Sequence, residues 1–172
     1  MARQPYLPDF EKLRIKDFGG SAIKGNAREA RPLSTRRPLH LVLRSSLAKA
    51  DRSFLHQKHR KTINALIHDA GKKSGVRIYR FANSGNHLHL VILPTSRSAY
   101  LRFIRSLTGR IARRVLGAER GRALGVKFWD ALPFTRILEW GRDYRVACSY
   151  LRQNVLEALG FIPYRPRKPN PG

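Results

Sequence analysis

The chain is 172 residues long, enough for one domain with tails and a core of its own. A hydrophobic share of 42% excludes a chain too polar to fold, and the longest apolar runs are too short to span a bilayer. Lys and Arg number 35 against 11 Asp and Glu, a formal charge of +24, which calls for a polyanionic partner: nucleic acid first, an anionic membrane surface second.

Residues 1–37 are rich in Arg, Lys, Pro and Gly with little periodicity, and read as a basic N-terminal arm or a solvated tail. The first strand signal is Pro38-Leu39-His40-Leu41-Val42-Leu43-Arg44. Asp51 or Ser53 is the expected cap of the helix that follows, in which Ile63, Leu66, Ile67 and Ala70 recur at helical spacing before Gly71 and Gly75. His56, His59 and His68 are scattered among Lys and Arg, and are expected at the surface. Residues 76–82 alternate as a second strand, and Ser84-Gly85-Asn86 makes the tight connection into a third. That third strand, Asn86-His87-Leu88-His89-Leu90-Val91-Ile92-Leu93, is bounded by Pro94.

A helix is expected over 98–116, with Leu101, Ile104, Leu107, Ile111 and Val115 as its apolar stripe and five arginines around the rest. Residues 126–129 and 134–138 read as short strands on either side of Asp130-Ala131-Leu132-Pro133. A last helix over 142–159, with Asp143 as its expected cap, stops at Gly160. The tail, 161–172, is basic and Pro-rich. The order strand, helix, strand, strand, helix, strand predicts an α+β, ferredoxin-like split βαβ antiparallel sheet. Two helices cover one face, an extra C-terminal helix follows, and the first strand and the histidine strand are central neighbours. Cys148 is the only cysteine, which excludes an intrachain disulfide and makes a reducing cytoplasm the simplest setting. Small neighbours make it a packed thiol.

Strand alternation puts His87 and His89 on one face, one pleat apart, where two neutral imidazoles can hold a metal ion between them. Tyr150 and Asn154, four apart on the last helix, share a face beside its apolar stripe. A phenol near a metal-bound phosphate can act as a nucleophile, and an amide oxygen beside it can complete a ligand set. Taken singly, each has a plainer explanation: polar residues tucked into a sheet, an aromatic with its hydroxyl at the rim, a polar residue on a helix surface.

Together, His87-Leu88-His89 on a strand and Tyr150-Leu151-Arg152-Gln153-Asn154 on a later helix resemble the single-tyrosine HUH endonuclease superfamily. More narrowly, the chain is similar to the REP-associated tyrosine transposases. The resemblance runs over about 38–160 and takes in His40-Leu41-Val42-Leu43-Arg44 and Phe128-Trp129-Asp130. It implies a metal-dependent nickase and strand transferase acting on single-stranded, hairpin-flanked DNA. Tyr150 is then the nucleophile, His87 and His89 are ligands of Mg²⁺ or Mn²⁺, and Asn154 is the third ligand. Some transposases of the superfamily carry Gln at the Asn154 position; Asn offers the same carbonyl on a shorter stem. Tyr144 is the competing phenol, but has no Asn four residues on.

Arg36, Arg37, Arg44, Lys127 and Arg142 lie near the site elements and are the expected phosphate contacts. Tyr79, Phe128 and Trp129 are candidates for base stacking or for core packing. Gly141 and Gly160 are candidate hinges for a swing of the tyrosine helix. The resemblance further implies a bacterial, nucleoid-associated protein, working as a monomer or a homodimer. Two other readings remain: a non-catalytic nucleic-acid-binding protein of ferredoxin-like fold, and a domesticated relative that binds DNA hairpins.

Overall fold

Strands whose side chains are apolar on both faces need a layer of helices on each side. A computed structural model describes residues 18–19, 31–118 and 125–164, and shows how this chain meets that demand. Its elements are β1 (Phe18–Gly19), β2 (Leu39–Arg44), α1 (Gln57–Ser74), β3 (Val76–Asn83), β4 (His87–Pro94), α2 (Arg97–Leu116), β5 (Phe134–Ile137) and α3 (Arg142–Ala158). A single 3₁₀ turn, Ala50–Arg52, precedes α1.

The sheet order is β1-β5-β2-β4-β3, with every neighbouring pair antiparallel. β2 and β4 are central neighbours, as the order of elements implied, and the fold is the α+β, ferredoxin-like one. Leu39, Leu41 and Leu43 of β2 and Leu88, Leu90 and Ile92 of β4 point to one face. There they meet Ile63, Ile67 and Ala70 of α1 and Tyr100, Phe103, Leu107 and Ile111 of α2. Fully burying each such side chain contributes about 1.5–3 kcal/mol. The other face carries a smaller apolar cluster, in which Ala82 and Val91 pack against Leu138 and against Ala147 and Leu151 of α3. The helices are thus divided two against one, and α3 has its own side of the sheet.

Local chemistry explains the boundaries. Ser96 Oγ accepts from the Ala99 N–H at 3.0 Å and starts α2. α1 and α2 end on Gly75 and Gly117, both left-handed at φ +74° and +66°. Lys72, Lys73, Arg113 and Arg114 lie in the last turns, where cations suit the helix dipole. Between β3 and β4 the chain turns through Gly85 at φ +87°, held by the Gly85 N–H donating to Asn83 Oδ1 at 3.1 Å.

Several expectations are corrected. The cap of α1 is neither Asp51 nor Ser53 but His56, whose Nδ1 accepts from the Lys58 N–H at 3.3 Å. His59 is buried, its Nε2 3.1 Å from the Asp51 carbonyl, because the 3₁₀ turn folds back over the start of α1. Leu101 is exposed: it stands two residues from both Ala99 and Phe103, which face the core, so it points nearly the other way. Residues 126–129 form no strand. Phe128 and Trp129 both pack on the main core, which breaks a period of two. The segment docks by separate bonds instead, the Asp130 N–H to the Arg44 carbonyl at 3.0 Å and Ser45 Oγ to the Phe128 carbonyl.

Of the basic arm expected over 1–37, residues 18–19 and 31–37 are described, and of the tail 161–172, residues 161–164; the rest lies outside the described residues. Phe18–Gly19 pairs with Thr135 and Arg136 of β5, adding an edge strand that the sequence did not announce. Arg31 donates to Thr135 Oγ1 at 3.1 Å and to the Pro133 carbonyl, and Arg37 pairs with Glu139. Among the described residues, no helix is long and apolar enough to cross a membrane.

Candidate active site

Strand register assembles the site. β2 and β4 pair Val42 with His89 and Arg44 with His87, while His40 pairs with Val91 on one side and with Arg136 of β5 on the other. Cross-strand partners share a face, so His40, Val42, Arg44, His87, His89 and Arg136 all lie on the side covered by α3. The His87 and His89 rings stand 4.8 Å apart, centroid to centroid, as their spacing predicts.

α3 buries Ala147, Leu151 and Asn154, a stripe at helical spacing. Asn154 is only 3% exposed, and so belongs to the packed face of the helix. With His87 and His89 it lines an open cleft of about 580 Å³, shared with Val42, Arg44, Ser84, Asn86, Glu157, Ala158 and Tyr164. Tyr150 is half-buried beside that cleft and is not among the residues lining it. Its ring meets His89 edge-on at 5.4 Å and His40 at 6.2 Å.

Both histidines of β4 are held through the same nitrogen. His87 Nδ1 is 2.6 Å from Asn86 Oδ1. An amide oxygen only accepts, so His87 Nδ1–H is the donor. His89 Nδ1 is 3.2 Å from His40 Nε2, with the ring centroids 5.4 Å apart and the planes 17° from parallel, so the two nitrogens face each other edge to edge. His40 has its pKa lowered to about 4, first by burial and then by the Arg136 cation, so it is uncharged at neutral pH. Arg136 is itself 3% exposed and pairs with Asp143 at the start of α3 at 3.3 Å, tying β5 to that helix.

Two imidazoles and one amide oxygen around an open cleft fit a divalent cation with positions left for phosphate and water. Among the described residues, no group of three His, Cys, Asp or Glu side chains is arranged to hold a metal.

The other expected residues divide. Arg44 lines the cleft, exposed, with Asp130 at 3.5 Å. Arg36 and Arg37 lie beside Trp140 and Glu139, at the approach to α3, where Trp140 Nε1 donates to the Arg36 carbonyl at 2.8 Å. Arg142 is exposed at the first turn of α3, and Lys127 is exposed on the 125–130 segment. Neither lines the cleft. Phe128 is in the core, which removes it as a stacking surface. Tyr144 sits with Tyr79 and Trp140, at 5.8 and 5.2 Å, in an aromatic cluster apart from the cleft. Burial and a hydrogen bond with Cys148 raise its pKa. Sequence reasoning gave no role to His40, Asn86, Glu157 or Tyr164. The three-residue step from Asn154 was a signal for Glu157; His40, on another strand, and Tyr164 had none.

The sequence profile of the family "Transposase IS200 like" matches residues 35–150, from the approach to β2 through Tyr150. The chain belongs to the IS200-like transposases. Membership gives it transposase-like function, DNA as its partner and DNA cleavage as its reaction class. No curated protein matches this IS200-like chain. A crystal structure of a protein assigned as a transposase, from Deinococcus radiodurans R1, is similar to it at a TM-score of 0.45 and 16% identity, covering 77% of this chain and 96% of that one.

Proposed function

We propose that this IS200-like transposase is a metal-dependent single-strand DNA nickase and strand transferase with Tyr150 as nucleophile. One observation carries the reading: Tyr150, Asn154, His87 and His89, from two distant elements, meet on the same face of the sheet. His87 and His89 offer Nε2, and Asn154 its amide oxygen, to Mg²⁺ or Mn²⁺. A bound cation supplies charge neutralisation at a non-bridging phosphate oxygen.

The chain's own residues do the rest. Tyr150 Oη attacks phosphorus, the bond from phosphorus to the 3′ oxygen breaks, and that oxygen leaves as a 3′-hydroxyl carrying a proton. The product is a 5′-phosphotyrosine. One phosphoester forms as one breaks, so a later 3′-hydroxyl can reverse the step and join strands. Arg44 faces the DNA backbone in the cleft, and Arg36, Arg37, Lys127 and Arg142 extend a cationic path outside it. Gly141, at φ +93° and ψ −112°, is the hinge by which α3 brings Tyr150 to the cleft wall. Residues 38–160 form the catalytic domain, flanked by a basic arm over 1–37 and a basic tail over 161–172. The substrate is DNA carrying hairpins.

Incubating the protein with single-stranded DNA and Mn²⁺, then denaturing in SDS, is expected to give a protein–DNA adduct of retarded mobility. Tyr150→Phe abolishes it, and EDTA prevents it. An adduct that survives Tyr150→Phe removes the assignment. Metal-independent binding with no adduct leaves the non-catalytic binder instead.

A further inference from the structure

Of the three rings against His89, those of His40, His87 and Tyr150, His40 is the one to which the chemistry above gives no task. Its placement is costly. It sits on a central strand at 6% exposure, between Val91 and Arg136, where an apolar side chain would pack without desolvation. What it does touch is specific: its Nε2 is 3.2 Å from His89 Nδ1, with the ring planes 17° from parallel and the two nitrogens facing each other.

We infer that His40 is a positioning residue, whose Nε2 accepts the Nδ1 proton of His89 and so holds His89 in the tautomer and orientation that offer Nε2 to a divalent cation. Two neutral imidazoles carry one proton each. If the facing proton is on His89 Nδ1, His40 keeps its own proton on Nδ1 and presents the lone pair of Nε2. The reverse arrangement would put the His89 proton on Nε2 and close that atom to a metal. His87 shows which direction the site uses, because Asn86 Oδ1 can only accept from its Nδ1. Two unrelated partners, one on β2 and one in the β3–β4 turn, thus take the same nitrogen of both rings. Outer partners of metal-bound histidines typically change affinity by about 10–100-fold. The role in metal binding rests on the function proposed above; the tautomer does not.

Long-range ¹⁵N–¹H spectra of the metal-free protein, with His89 assigned from His89→Gln, read which ring nitrogen is protonated. Wild type is expected to carry the His89 proton on Nδ1. His40→Leu removes the acceptor, and is expected to mix the His89 tautomers and weaken Mn²⁺ binding, read by calorimetry, about 10–100-fold. His40→Gln supplies an amide oxygen in the same place and is expected to stay within a few-fold of wild type. A His89 proton on Nε2 in wild type overturns the inference. So do Leu and Gln variants that both keep the wild-type tautomer and affinity. If His40→Leu does not fold, the wild-type spectrum and His40→Gln still decide. If wild type binds no Mn²⁺, the metal reading falls, while the tautomer comparison still settles what His40 does.

Discussion

His87 and His89 were legible from a period of two alone, since any strand puts alternate side chains on one face. Tyr150 and Asn154 were legible from a spacing of four on a helix. His40 was not. Its strand was recognisable, but its closeness to His89 depends on β2 being the hydrogen-bonded neighbour of β4 in one register. Burial gives His40 a second, measurable consequence. Its folded pKa is about 4 against the ordinary 6.5, so as pH falls between those values the unfolded chain takes up a proton that the folded chain refuses. Stability is therefore intact above pH ~6.5 and lost as pH falls toward ~4, by roughly 3 kcal/mol in all. Urea midpoints in EDTA at pH 7.5 and 4.5 are expected to show a larger acid loss for wild type than for His40→Gln; equal losses would contradict the buried, uncharged ring.

The two long helices were readable from the spacing of their apolar residues, and the structure adds that their ends are chemical. Gly75 and Gly117 take the left-handed conformation that an L side chain resists, and Ser96 supplies the oxygen that starts α2. Ser96→Ala is expected to cost about 1 kcal/mol in thermal melts, with the DNA adduct still formed. α3 begins differently. Gly141 makes no side-chain cap, and its φ of +93° with ψ of −112° is closed to other residues. A Cβ there would meet nothing within 4 Å, so Gly141→Ala tests the backbone alone. It is expected to cost about 1–3 kcal/mol and to slow adduct formation more than DNA binding. An unchanged adduct rate would remove the hinge. The elements that escaped prediction lack such local signals. β1 is two residues long and pairs along an edge of β5, and 126–129 is rich in strand-forming residues yet sends both aromatic rings into the core.

At the scale of the molecule, charge and topology act together. A chain of formal charge +24 binds DNA by releasing counterions. The five proposed phosphate contacts, Arg36, Arg37, Arg44, Lys127 and Arg142, predict a slope of about −3.5 for log affinity against log salt on single strands. Fluorescence anisotropy across a salt series measures it, and Arg44→Gln is expected to lower the slope by about 0.7. A flat response would exclude phosphate contacts as the basis of binding. The tyrosine and the histidines meet within one chain, an arrangement that cleavage in cis would use directly. Mixing Tyr150→Phe with His87→Ala is then expected to restore no adduct; restoration would show that a second copy supplies the phenol.

The sequence by itself determined what depends on local spacing: the helices, the paired imidazoles of β4, the Tyr150–Asn154 face of α3, and the cationic character that turns the chain toward DNA. The tertiary structure decided which faces meet. α3 lies opposite α1 and α2 because its apolar stripe needs a surface of its own, and β3 and β4 leave Ala82 and Val91 for it on the histidine side. That packing, between residues some sixty positions apart along the chain, no local pattern encodes; it follows from burying apolar area on both sides of one sheet.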